Sequence, residues 1–262
     1  MAVLAVFSLV YPVSASRIQM GVSLVPEGDM TGGSFAMNLT ILNSGDEAAH
    51  DVQASLLLPD GFSSEPIYAG TMDPQVPVFG AFRVLMDGSV NPGLYPIVLK
   101  THYTDANAYP FSTVAPSFLR YKTSAPVMMR GEVGNVTLAG QAEKTIEVRF
   151  DNLDDKPHDA LIRLMIPDEM KAAESSKRLR IGPKESGRVS FPLKSFGALP
   201  GSVYVVFATA EYDEAGLHYA SIASGRVEIV AEEKGGLEAP PWLPAGILAL
   251  LLIIVIYLQV RK

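Results

Sequence analysis

The sequence predicts an all-β fold: two tandem β-sandwich modules of about a hundred residues each, followed by one C-terminal transmembrane helix. Three observations predict it. Apolar and polar residues alternate over many short stretches, a set of turn and strand landmarks recurs at one fixed spacing, and a long uncharged apolar run lies near the C-terminal end.

Composition bounds the rest. A chain of 262 residues suggests one to two domains. With no Cys, disulfides and thiolate metal sites are excluded, so each module must be held by its own core. That requires roughly 80–100 residues per module. The formal charge of −7 argues against nucleic acid, which demands basic patches.

The stretch Met1 to Val10 is almost wholly apolar, and Val13-Ser14-Ala15 offers the small residues that a signal peptidase reads. Residues 1–15 are therefore expected to be a signal peptide; the alternative is an apolar first strand. At the other end, Trp242 to Val260 holds nineteen residues and no charge. At ~1.5 Å per helical residue, such a run covers about 28 Å, close to the hydrocarbon thickness of a bilayer. Trp242 and Tyr257 sit near its two ends, where amphipathic rings favour the interface, and Arg261 and Lys262 should stay cytoplasmic. The expected location is the cell membrane, single-pass, with the N-terminal modules extracellular or periplasmic and the C-terminus cytoplasmic. Leu243-Pro244-Ala245-Gly246 resembles part of a sortase sorting signal, but no Thr precedes Gly246. Pro240, Pro241 and Pro244 instead stiffen the approach from a juxtamembrane stalk, residues 232–241.

Between the ends, Phe35, Met37, Leu39 and Ile41 alternate on one face, as do Val52, Ala54, Leu56 and Leu58, then Phe82, Val84 and Met86, then Tyr95, Ile97, Leu99, Thr101 and Tyr103. Period two predicts half-buried strands. Asn43-Ser44-Gly45-Asp46, Pro59-Asp60-Gly61 and Asn91-Pro92-Gly93 punctuate them as turns. The landmarks then repeat 108 or 109 residues on: Asn43 and Asn152, His50-Asp51 and His158-Asp159, Pro59-Asp60 and Pro167-Asp168, Pro92-Gly93 and Pro200-Gly201, Tyr95 and Tyr204, Tyr103 and Tyr212. This period is the length of a whole Ig-like sandwich rather than of a solenoid repeat. The expected modules are residues 18–121 and 127–231, with a short linker at 122–126.

Tyr95 stands two residues before Ile97, as the tyrosine-corner residue of Ig-like folds stands two before a core position; its hydroxyl would bond back to the chain. Tyr204 is the matching candidate in the second module, displaced by one. The run Leu42 to Val52, then Leu58-Pro59-Asp60-Gly61, then Asn91-Pro92-Gly93-Leu94-Tyr95-Pro96-Ile97 resembles the CARDB and NEW3 type of Ig-like domain found in bacterial and archaeal surface and S-layer-like proteins. The resemblance covers the first module well and the second more loosely. It implies adhesion or scaffolding at the cell surface, in NEW3 cases beside glycoside hydrolases, and it brings no catalytic residues.

The constellations that carry chemistry are sparse. His50, His102, His158 and His218 show no metal-ligand spacing such as HExxH. His50-Asp51 and His158-Asp159 are equivalent pairs that could bind metal or form turn hydrogen bonds. Asp151, Asp154 and Asp155 cluster in one turn and are candidate Ca²⁺ ligands, although Asp also favours turns for backbone reasons. No Ser sits in a GxSxG elbow, and no Gly-rich phosphate loop precedes a helix. Asn38-Leu39-Thr40 and Asn135-Val136-Thr137 are glycosylation sequons. Tyr68, Phe79, Tyr109 and Phe111 lie in or near loops and are candidates for stacking on sugar; equally, they could plug the sandwich ends.

The expected role is structural, without enzymatic activity or cofactor: a cell-envelope scaffold or accessory subunit of a membrane complex. Its expected partners are the lipid bilayer and another envelope or membrane protein, or a cell-surface glycan. The alternative is a polysaccharide-binding module serving an enzyme or transporter. A hydrolase would instead need two facing carboxylates about 5–9 Å apart in a pocket.

Overall fold

Strand β2 (Ser34–Asn43) carries the chain's simplest instruction. Phe35, Met37, Leu39 and Ile41 are buried on one side, while Asn38 between them is exposed. A computed structural model describes residues 17–27, 33–123 and 125–232. The expected signal peptide 1–15, the stalk beyond Glu232 and the helix 242–260, with Trp242, Tyr257, Arg261 and Lys262, lie outside the described residues. Among the described residues every element is a strand, and no helix is long and apolar enough to cross a membrane.

The first half holds β1 (Met20–Glu27), β2, β3 (Ala49–Leu57), β4 (Phe62–Ser64), β5 (Ile67–Met72), β6 (Pro77–Met86), β7 (Gly93–Thr104) and β8 (Pro110–Tyr121). The second holds β9 (Met129–Val133), β10 (Val136–Ala139), β11 (Glu143–Asn152), β12 (His158–Met165), β13 (Met170–Ala172), β14 (Ser176–Ile181), β15 (Ser186–Ser195), β16 (Val203–Glu214) and β17 (Leu217–Val230). Two four-stranded sheets, β1-β2-β6-β4 and β13-β15-β11-β9, face a nine-stranded sheet shared by both halves. That sheet runs β14-β12-β16-β17-β7-β3-β5, with β8 added on β7 and β10 on β17.

Two dry cores lie between the sheets. Met37, Ile41, Phe82, Ile97 and Leu119 fill the first; Phe150, Ile146, Ile162, Phe191 and Leu193 fill the second. A fully buried side chain of this size contributes about 1.5–3 kcal/mol, so packing between sheets is the main force holding each half.

The recurring landmarks now have physical jobs. Asn43 is fully buried; its Nδ2 donates to the carbonyl of Glu47 at 2.6 Å, and its Oδ1 accepts from the Gly45 N–H at 3.0 Å. Asn152 repeats the arrangement, donating to the Lys156 carbonyl at 2.6 Å and accepting from the Asp154 N–H at 2.9 Å. Each asparagine thus staples its own turn from inside, where no apolar residue could satisfy the backbone. The Pro-Asp turns also match: Phe62 N–H bonds to the Pro59 carbonyl and Met170 N–H to the Pro167 carbonyl. Across the ladders, Tyr103 stacks on Phe111 and Tyr212 on Tyr219, both directly opposite pairs.

Asn152→Ala should lower the unfolding free energy by about 2–3 kcal/mol because it orphans buried backbone groups. Asn38→Ala, on the exposed face of β2, should change it by less than about 0.5 kcal/mol. Urea unfolding followed by circular dichroism measures both.

Candidate functional site

Strand β7 does not alternate as an ordinary sandwich strand should. Its residues Gly93 to Leu99 are all buried. Tyr95, Ile97 and Leu99 belong to the first core, but Leu94, Val98 and, on β8, Val114 are buried outside both cores. They share the outer sheet face with Lys100, His102 and Ser112, by strand alternation and the pairings Lys100–Val114 and His102–Ser112. The second half covers this face. The described residues up to Val230 accordingly fall within one compact unit.

The docking is reciprocal, and the repeated Pro-Asp turn makes it from both sides. Asp168, from the second half, receives Lys100 Nζ and lies 2.8 Å from His102 Nδ1. Next to it Glu169, only 5% exposed, accepts from the Ser112 N–H at 2.5 Å and the Ser112 hydroxyl at 2.7 Å. In the opposite direction Asp60, the counterpart of Asp168, reaches Arg163 of β12 at 3.0 Å. Asn91 donates to Asp213 at 3.1 Å, and the His218 N–H donates to the Pro92 carbonyl at 2.8 Å. There β17 and β7 pair in parallel through His218 and Gly93. A Cβ on Gly93 would collide with the His218 backbone, so only glycine permits the approach.

Two clefts open along this junction. The first, about 360 Å³, is polar; Asp60, Asn91, Tyr95, Arg163, Glu211 and His218 line it. The Tyr95 ring stacks on the His218 ring, centroids 4.0 Å apart, while its hydroxyl donates to the Asn91 carbonyl at 2.6 Å. Burial, reinforced by the negative charges of Asp213 and Glu211, pushes that hydroxyl well above the usual tyrosine range. The second cleft, about 440 Å³, is walled by Tyr103, Tyr109, Phe111 and Phe196. Tyr109 and Phe111 rings lie 5.2 Å apart, the Tyr109 hydroxyl bonds to the Gly197 carbonyl, and Lys171 Nζ sits 3.2 Å over the Phe196 ring. Burial pushes the Tyr103 hydroxyl up to about 12.

Of the aromatic residues singled out from sequence, Tyr109 and Phe111 thus meet in one cleft, whereas Phe79 and Tyr68 are exposed on other strands, Tyr68 donating to Asp51. Tyr204 is half-buried, its hydroxyl pushed up to about 12 mainly by burial. Asn38 is exposed on β2; Asn135 is exposed and its Oδ1 accepts from the Arg226 N–H at 3.0 Å. The three aspartates of the 151–155 turn each have separate partners. Asp151 takes Ser186, Arg130 and Arg149; Asp154 takes His158; Asp155 takes Lys184. A different group, Asp154, His158 and Glu214, brings ligand atoms within 4.8 Å of one another. Its donor atoms are already engaged: His158 Nε2 lies 3.0 Å from Asp154, and Lys156, outside the group, bonds Glu214 at 2.9 Å. His50, by contrast, lies near Thr71, so the two His-Asp pairs do different work.

The Ser186 hydroxyl and Arg130 guanidinium hold the Asp151 carboxyl below its ordinary value, and the Asp155 N–H with His158 does the same for Asp154. A depressed carboxyl stabilises the fold above the ordinary aspartate value of about 3.9 and loses that contribution as pH falls through its folded value. Stability should therefore drop on acidification below about pH 4, and Asp151→Asn should flatten that limb in a pH series of thermal melts. Gly93→Ala should cost about 3 kcal/mol through overpacking. Gly201→Ala, at the equivalent turn with open space but positive φ, should cost about 1 kcal/mol.

No protein-family model matches the chain, and no curated protein matches it. Solved structures are similar to it only distantly. A protein of unknown function from Porphyromonas gingivalis W83 is 13% identical with TM-score 0.30, the match covering 80% of this chain and 99% of that one. A FixG-related protein from Vibrio parahaemolyticus is 13% identical with TM-score 0.29, over 40% and 97% of the two chains. Red sea bream transglutaminase is 15% identical with TM-score 0.26, over 84% and 32%. Likenesses at such TM-scores carry no argument about what this chain does.

Proposed function

We propose that the chain is a membrane-anchored structural and interaction protein, which holds two Ig-like β-sandwich modules outside the membrane as a cell-envelope scaffold or accessory subunit of a membrane complex. The observation that carries this is the reciprocal docking of the two halves. Lys100, His102, Ser112 and Arg163 all engage the neighbouring half, which makes a stiff paired unit suited to presenting its remaining edges and loops. The uncharged run 242–260 supports an anchor, and the resemblance of Leu42 to Ile97 to CARDB and NEW3 domains supports a surface role. The protein has no catalytic part in this proposal and takes another envelope or membrane protein as partner.

Expressed whole in a bacterial host, the chain should remain in the membrane fraction after alkaline carbonate washing. Removing residues 242–262 should release it, and external protease should reach the sandwiches of the intact form. Release of the intact chain by carbonate, or protection of the sandwiches from external protease, contradicts the proposal. Crosslinking on intact cells should then recover an envelope protein.

A second reading is favoured by one observation, the aromatic cleft that unites Tyr109 and Phe111 with Tyr103 and Phe196. Ring faces beside carboxylates suit the apolar face and hydroxyl edge of a sugar. Binding on a glycan array that is lost in Tyr109→Ala and Phe196→Ala would turn the proposal toward a polysaccharide-binding accessory module; silence on the array removes it.

A further inference from the structure

The polar cleft contains two buried groups that the fold leaves incompletely used. His218 is 8% exposed and Glu211 is 5% exposed. His218 Nδ1 lies 3.1 Å from Asp213 Oδ1, and the ring is clamped flat against Tyr95. In the tautomer whose Nδ1–H donates to Asp213, Nε2 presents its lone pair. Nε2 makes no hydrogen bond, although it is buried. It faces Glu211 Oε2 at 3.6 Å. The other carboxylate oxygen is the occupied one: Oε1 accepts from the Thr209 hydroxyl at 3.2 Å and lies 3.9 Å from Arg163. In that tautomer two lone-pair-bearing atoms face each other with no hydrogen between them, an arrangement that a bound cation would satisfy.

We propose that this cleft binds a divalent transition-metal ion of the zinc type, with His218 Nε2 and Glu211 Oε2 as its protein ligands and Asp213 as the carboxylate that orients the histidine. Bonds of about 2.0–2.2 Å to nitrogen and carboxylate oxygen at tetrahedral to trigonal angles put two ligands about 3.3–3.6 Å apart, which is the separation seen. A metal-bound histidine typically donates its other N–H to a carboxylate, as His218 does to Asp213. Asn91, from the first half, holds Asp213 in turn. Both residues line the cleft of about 360 Å³, from which water would complete the coordination. Both ligands come from the second half, on β16 and β17, and the first half approaches the site through Asn91.

The test is a titration of the full chain in mild detergent, stripped with chelator, with Zn²⁺ and Co²⁺. One ion should bind per chain, with Co²⁺ giving the visible absorption of a low-coordinate nitrogen-and-oxygen site. His218→Gln and Glu211→Gln should abolish binding, and Asp213→Asn should weaken it roughly ten- to hundredfold. Asp154→Asn, which disrupts the neighbouring Asp154–His158–Glu214 group, should leave it unchanged. The unsubstituted chain provides a readout independent of any variant, because the ¹⁵N resonance of His218 Nε2 should move on adding Zn²⁺. Absence of stoichiometric binding, persistence in His218→Gln, loss in Asp154→Asn, or a static His218 resonance each overturns the proposal.

Discussion

The structure depends on the burial of a sheet face of the first half, carrying Leu94, Val98 and Val114 beside Lys100, His102 and Ser112, against the second half. Glu169 and Glu211 are nearly inaccessible; Glu169 is met by Ser112 of the other half, and Glu211 lies beside Arg163, which pairs with Asp60 of the other half. A buried carboxylate is tolerable only with donors in place: Ser112 of the first half supplies them to Glu169 across the junction, and Thr209 and Arg163 of its own half supply Glu211. Removing one half would return these carboxylates to water, so the gain from docking is a small difference between large terms. Polar faces of this kind discriminate strongly against any misaligned arrangement, because a shift would strand a charge in a dry place. The junction is therefore specific beyond what its apolar area alone would make it.

The same pair of turns is used on both sides. Pro59-Asp60 and Pro167-Asp168 fold alike within their own halves, and each aspartate then reaches a cation on the other half. Docking needs no separate element: the same kind of Pro-Asp turn, present in each half, supplies both contacts. The departures are equally informative. At one copy of the Pro-Gly turn, Gly93 lies against the His218 backbone; at the other, Gly201 has open space around it. The two halves have matching turns and differ where they meet.

Much of the β-architecture was legible in the sequence because alternation reports burial directly. Phe35 to Ile41 and Phe82 to Val84 need only a core on one side. The asparagines at 43 and 152 stood out by their spacing, and their role inside the turns follows from needing both a donor and an acceptor there. The docking was not legible, because Lys100, His102 and Ser112 resemble the solvent side of an ordinary strand. One signal could have found it. Leu94 to Leu99 is an unbroken run with no polar residue, the mark of a strand covered on both faces. Nor could sequence place Glu211 and Asp213 around His218, since their proximity depends on the pairing of β16 with β17 and on the first half closing over them. The cluster of Asp151, Asp154 and Asp155 was visible, but neighbours in sequence found different cations in space.

Native-state hydrogen exchange at two amides addresses the docking most directly. The His218 N–H bonds to the Pro92 carbonyl and the Ser112 N–H to Glu169, both across the junction. If the halves form one unit, these amides exchange only through global opening, as slowly as Phe150 in the second core. Exchange as fast as that of Asn107 at an exposed loop tip, with Phe150 still protected, would mean that the halves part freely in solution and would contradict the account.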